Sequence, residues 1–189
     1  MTDDTLELAA LIGSRMCHDL VSPLGAIGNG LELLRMTQPA SAELELVEEA
    51  VKVAQARVRL FRLAFGAASA EQSIRARELD EALQALSANG RIKVDGAVPD
   101  AVPRVTARRL CLAALCAETA LAWGGTISVS RDGLRAEAPR LKLDEALWTP
   151  LANGVRATSL TSATVHFGLL ADSGVVAVAF DDTSLTIRV

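Results

Sequence analysis

The chain of 189 residues is long enough for one ordinary domain or two small ones. Half of it is hydrophobic but only 3% is aromatic, with no tyrosine, a composition that suits helices packed through Ala, Leu and Val. The net charge of −4 makes a nucleic-acid backbone a poor partner, and no apolar run has the length needed to cross a bilayer.

Asp3, Asp4 and Glu7 stand where a signal peptide would be basic, so none is expected. Cys17, Cys111 and Cys116, an odd number inside helix-like segments, read as reduced core or boundary residues of a cytoplasmic protein. Cys111 and Cys116 lie five apart with no His or Cys at ligand spacing, so no metal site is expected.

Residues 4–36 read as one long helix. Leu20, Leu24, Ile27, Leu31 and Leu34 recur at alternating four- and three-residue steps, the stripe of a helix that packs along one face. His18 falls roughly opposite, and Ser14, Arg15, Ser22, Gly25 and Asn29 share its face. A neutral imidazole held in water among small and polar neighbours is a nucleophile, able to take and pass on a phosphoryl group. Pro23 lacks the N–H that would bond the Asp19 carbonyl, so a bend is expected one turn beyond His18. The plainer alternative is a surface histidine beside an incidental kink.

After a short connector over 37–41, Ser41 is placed to cap a second helix, with Glu43 and Glu45 in its first turn. Leu44, Val47, Val51, Ala54, Val58, Phe61 and Phe65 follow a strict three-four alternation that Gly66 ends. Two long helices on a tight loop make an antiparallel hairpin, and part of its stripe stays wet. A second copy covers that flank most simply, which predicts a homodimeric four-helix bundle with one His18 exposed per protomer. The small, polar stretch 66–73 marks a boundary between a helical-hairpin dimerisation domain over 1–70 and a second domain over 74–189.

In the second domain the rhythm shortens. Arg77 to Ser87 reads as a helix, Arg91 to Asp95 as a strand, and Pro99 to Pro103 as a loop. Thr106 is placed to cap a helix that Gly124-Gly125 ends. Residues 126–131 and 134–138 form a hairpin around Asp132-Gly133, and 143–151 and 159–170 are shorter helices. A last hairpin joins 175–180 to 184–189. Helices on one face of a mixed, mostly antiparallel sheet make an α+β sandwich. His166 reads as a core or boundary histidine, Trp123 and Trp148 as core or domain-interface anchors, and Arg104, Arg108 and Arg109 as a solvated helix face.

His18-Asp19, three residues, then Pro23-Leu24 resembles the H-box of bacterial sensor histidine kinases, and a helical hairpin followed by an α/β sandwich repeats their order. Met16-Cys17-His18-Asp19, Ser22-Pro23 and Gly30-Leu31-Glu32-Leu33-Leu34, with Ala64-Phe65-Gly66-Ala67 and Arg77-Glu78-Leu79, look more closely like the alphaproteobacterial ChpT-type histidine phosphotransferases. That resemblance is specific over roughly residues 10–80 and architectural afterwards.

It implies an N-terminal dimeric bundle followed by a sandwich like the ATP-binding domain of those kinases, but degenerate. Helix 110–119 carries no Asn to hold Mg²⁺, Glu137-Ala138-Pro139-Arg140 replaces an Asp-x-Gly-x-Gly, and Gly154 stands alone where a Gly-x-Gly would be. The resemblance therefore implies a phosphorelay carrier that neither binds nor hydrolyses ATP and has no cofactor of its own. His18 would take a phosphoryl group from a phosphoaspartate on the receiver domain of a hybrid kinase and hand it to a response regulator, with Mg²⁺ held by the receiver. Asp19 would orient the ring or touch the partner. Arg15, Ser22, Gly25 and Asn29 would meet the receiver, although Arg15 is equally read as solvated and Gly25 and Gly28 as sites of close helix packing. Arg104, Arg108 and Arg109, if not a solvated face, would complement an acidic receiver loop. Two rival readings are an ATP-dependent kinase fragment and a dimeric scaffold that is never phosphorylated.

Overall fold

A computed structural model describes residues 3–39, 41–96, 98, 100–174 and 177–189, with side chains from Leu8 onward. The chain forms two compact units divided between Ala67 and Ala68, inside the small-residue stretch 66–73.

The first unit is a hairpin of α1 (Asp3–Thr37) and α2 (Ala42–Phe65). Ser41 caps α2 by accepting the Leu44 N–H at 3.2 Å. Gly66 ends α2 with its N–H on the Arg62 carbonyl, but it is extended (φ −71°, ψ 165°) rather than left-handed. The helix α1 continues through Pro23 for more than a turn on either side.

The packing face of α1 differs from the expected stripe. Ala10, Cys17 and Leu31 are buried, with Leu24 and Gly28 half-buried, whereas Leu20, Ile27 and Leu34 remain 48%, 49% and 42% exposed. Small residues decide this. A Cβ on Gly28 would lie 2.9 Å from the Gln55 amide nitrogen, and one on Gly13 would lie 2.9 Å from the Phe65 carbonyl oxygen. The two helices approach most closely where α1 carries least bulk. Gln55 donates to the Leu24 carbonyl at 3.0 Å across that contact.

The second unit is an α/β sandwich around a five-stranded sheet of order β2-β4-β5-β7-β6, in which β2 and β4 are parallel and the other pairs antiparallel. Its strands are β2 (Ile92–Asp95), β4 (Gly125–Ser130), β5 (Gly133–Glu137), β6 (Ala177–Phe180) and β7 (Ser184–Arg188). Ile92, Val94, Ile127, Val129, Leu134, Ala136, Leu185 and Ile187 point to the buried face. Lys93, Ser128, Ser130, Arg135, Glu137 and Arg188 point to water, the alternation of a sheet covered on one side. The helix α4 (Arg104–Ala120) is buried at eleven positions, and α3 (Ala76–Leu83), α5 (Glu145–Ala152) and α6 (Val165–Asp172) complete the helical layer. Trp148 is fully buried, edge-on to Phe167 at 5.0 Å between centroids.

Several local expectations are corrected. Val102–Pro103, read as loop, is a two-residue strand β3 that pairs with β1 (Ser73–Ile74). That pairing delivers the chain so that α4 starts at Arg104, its N–H on the Gln72 carbonyl, and Thr106 is not the cap. Residues 159–164 are not helical: Thr164 Oγ1 accepts the Thr161 N–H at 2.9 Å and holds a local turn instead. The arginine cluster of α4 is not a solvated face, because Arg104 is buried and Arg109 donates to the Ser173 carbonyl at the end of α6. Of the two alternatives for Trp123 the core is excluded: it is 55% exposed under the Arg140 guanidinium. His166, by contrast, is buried as expected of a core or boundary histidine, and burial pushes its pKa down to about 4. Pro99, Val175 and Val176, assigned to a loop and to the last hairpin, lie outside the described residues.

Candidate functional site

The His18 side chain is 81% exposed on α1. Its Nδ1 lies 3.3 Å from Asp19 Oδ1, and Arg15, one helical turn before Asp19, donates its Nε–H to Asp19 Oδ2 at 2.8 Å. The carboxylate thus meets the ring edge-on instead of stacking on it. These contacts, with His18 first and Arg15 second, hold the Asp19 carboxyl below the usual carboxylate range. With the Nδ1 proton assigned to the Asp19 contact, the Nε2 lone pair is the one left facing water.

Ser22 and Asn29 are exposed on the same face. At Gly25 an added Cβ would meet nothing within 4 Å, so packing does not require a glycine there; Gly28 is the packing glycine of the pair. Cys17, next to His18 in sequence, turns inward; burial raises its thiol pKa while Arg62 pulls the other way.

Beside Gly25 runs a groove of about 180 Å³ between Val21 and Leu24 of α1 and Gln55, Val58, Arg59 and Arg62 of α2. A larger hollow of about 680 Å³ continues toward the loop, between Asn29 and Glu32 of α1 and Glu48 and Lys52 of α2. The two share Gln55 and lie on the side of α1 that carries His18. Gln55, Arg59 and Arg62 escaped the sequence reading. Their signal was the four-three spacing on α2, off the apolar stripe, opposite the middle of α1.

In the second unit, Arg156 is ion-paired with Asp172, and a Cβ on Gly168 would collide with Leu160, so loop 153–164 is strapped onto α6. Among the described residues no group of three or more His, Cys, Asp or Glu side chains could hold a metal ion.

The family model described as "Histidine phosphotransferase C-terminal domain" matches residues 76–173. A protein phosphotransferase ChpT from Brucella abortus (strain 2308) is 46% identical over 68 residues, which are 36% of this chain and 32% of that protein. The match thus spans about a third of that curated relative's length. A solved structure described as a bacterial phosphotransferase has the same fold, with a TM-score of 0.64 at 21% identity over 100% of this chain and 98% of the other.

Proposed function

The chain belongs to the family of the histidine phosphotransferase C-terminal domain, and on that premise we propose that it is a phosphorelay carrier whose phosphoacceptor is His18. The observation that carries this reading is the open Nε2 of an imidazole whose other nitrogen faces Asp19. The Nε2 lone pair attacks the phosphorus of an aspartyl phosphate on a receiver domain. An N–P bond forms, the acyl P–O bond breaks, and the aspartate leaves as a carboxylate. Positive charge grows on the ring during attack, and the Asp19 carboxylate beside Nδ1 stabilises it. The reverse step, on a second receiver, returns the group to an aspartate. The divalent cation used in phosphoaspartate chemistry belongs to the receiver, and this chain contributes no cofactor.

Ser22, Gly25 and Asn29, with the groove beside them, form the receiver-facing surface; Arg15 borders it on the other side of His18. A slim face without large side chains lets two different receivers reach one histidine. Ile12, Met16, Leu20, Ile27 and Leu34 form an exposed apolar stripe on the far side of α1, and a second copy covers it in a four-helix bundle. The loop strapped over α6 by Arg156 and Leu160, together with the missing glycine loops, supports a second domain that takes no ATP. No described helix is long and apolar enough to cross a membrane, and the protein meets its receivers in the cytoplasm.

The test is incubation with phosphorylated receiver domains. Acid-labile phosphate on the wild type and none on His18→Ala is expected. Label from ATP alone would turn the reading to a kinase fragment, and receiver binding without label would turn it to a scaffold.

A further inference from the structure

We infer that Arg15 is a positioning residue for the transfer: it fixes the carboxylate of Asp19 so that Nδ1 of His18 carries the proton and Nε2 receives the phosphoryl group. The inference rests on the phosphoacceptor role proposed for His18. Arg15 reaches no ring atom itself. Its Nε–H lies 2.8 Å from Asp19 Oδ2, and the other oxygen of that carboxylate lies 3.3 Å from Nδ1. One carboxylate is therefore held from two sides, and each oxygen has one partner.

The geometry favours this role over direct contact with the phosphoryl group. A carboxylate on an exposed helix face turns freely about its side-chain bonds, and with one contact at 3.3 Å it would spend much of its time away from the ring. A second, shorter bond to a planar donor on the preceding turn removes that freedom. The Nε–H bond ties the guanidinium to Asp19, and no hydrogen bond runs from Arg15 to the imidazole. All three residues lie within residues 15–19 of α1, so the arrangement survives whatever docks on the other faces of the helix.

The test uses the full chain, Arg15→Met, which keeps the apolar stem, and Arg15→Lys, which keeps the charge. Arg15 is an exposed side chain, so both variants fold. The chain holds only two histidines, and His166 is buried, so the His18 ring nitrogens are readily assigned by ¹⁵N NMR. The ¹⁵N shifts of the two ring nitrogens read the tautomer ratio directly. Arg15→Met should move the ratio about twofold away from Nδ1–H, the size expected of one exposed pair a helical turn apart. It should slow transfer from a phosphorylated receiver about fivefold, because a docked receiver excludes water and strengthens the same contacts. Arg15→Lys, which keeps the charge but not the planar donor, should restore only part of both. An unchanged tautomer ratio in Arg15→Met overturns the inference; if transfer also slows, Arg15 touches the receiver or the phosphoryl group instead. Failure of the wild type to take any label overturns the carrier reading, and the tautomer ratio then still decides the role of Arg15.

Discussion

Replacing Ile27 by aspartate tests the separation of the apolar stripe from the reactive face. Ile27 is nine residues from His18, and at about 100° per residue it lies half a turn away, on the opposite side of α1. Its side chain is 49% exposed in the single chain. Burying the remaining half against a second copy contributes about 1 kcal/mol, and two-fold symmetry makes that about 2 kcal/mol per dimer. Aspartate removes this and places a carboxylate from each copy in an apolar seam, which costs at least as much again. The dimer should weaken by about 4 kcal/mol or more, roughly a thousandfold in Kd. Sedimentation velocity over the micromolar range reads the change, with Asn29→Asp on the His18 face as a control that leaves association intact. His18 in the Ile27→Asp monomer should still take label from a phosphorylated receiver. A wild-type protein that is already monomeric at tens of micromolar, or an Ile27→Asp variant that associates as tightly as the wild type, would refute the reasoning.

The remaining expectations concern stability. Gly25→Ala, where a Cβ meets open space, should stabilise the hairpin by about 0.5–1 kcal/mol through helix propensity. Gly28→Leu should destabilise it by about 1–3 kcal/mol, because the side chain displaces Gln55 from the Leu24 carbonyl; thermal melts compare the two. His166 titrates at about 4 when folded, below its ordinary 6.5, so the unfolded chain binds the proton first. Stability is therefore full above 6.5 and declines toward pH 4 by up to about 3 kcal/mol, and His166→Leu should flatten that slope in urea titrations. Asp181 accepts the Thr183 and Ser184 N–H groups in the last turn, and these bonds lower its pKa to about 2. Its support is present above the ordinary carboxylate pKa and lost as pH falls to about 2. Asp181→Ala should speed amide exchange in β6 and β7 at neutral pH, and the difference should vanish in strong acid.

How much of the fold was legible depended on whether one pattern stood alone. The bounds of α2 stand alone, marked by the Ser41 cap and Gly66, and the helix lies between them. Its face does not, because Leu60, Leu63 and Ala64, off the seven-position stripe, are buried while Val47 on it is 46% exposed. On α1 two stripes overlap and share Leu24 and Leu31. The larger side chains of Leu20, Ile27 and Leu34 suggest one packing face, but Ala10, Gly13, Cys17 and Gly28 let α2 come closer on the other. Apolar size marks what prefers to leave water, whereas close packing of two helices also rewards the absence of size. The same limit applies at Arg104, where charge suggested a wet face and the surrounding fold buries it. At the site, spacing was enough to turn His18 outward. It could not show that Asp19 and Arg15 meet, because side-chain torsions rather than helix geometry decide that contact.

The helix α1 keeps three demands apart by angle. Small residues face α2, large aliphatic residues form a second stripe, and His18 stands on the third face among Arg15, Asp19, Ser22, Gly25 and Asn29. A carrier must offer one nitrogen to partners that arrive in turn, so the reactive face has to stay clear of the contacts that assemble the protein. If the apolar stripe and the histidine shared a face, assembly would hide the nucleophile; if small residues ran along every face, no stripe would remain to assemble with. Loss of self-association by Ile27→Asp and a tautomer shift by Arg15→Met should accordingly be separable. A variant on one face that abolished both would show that the angular division does not hold.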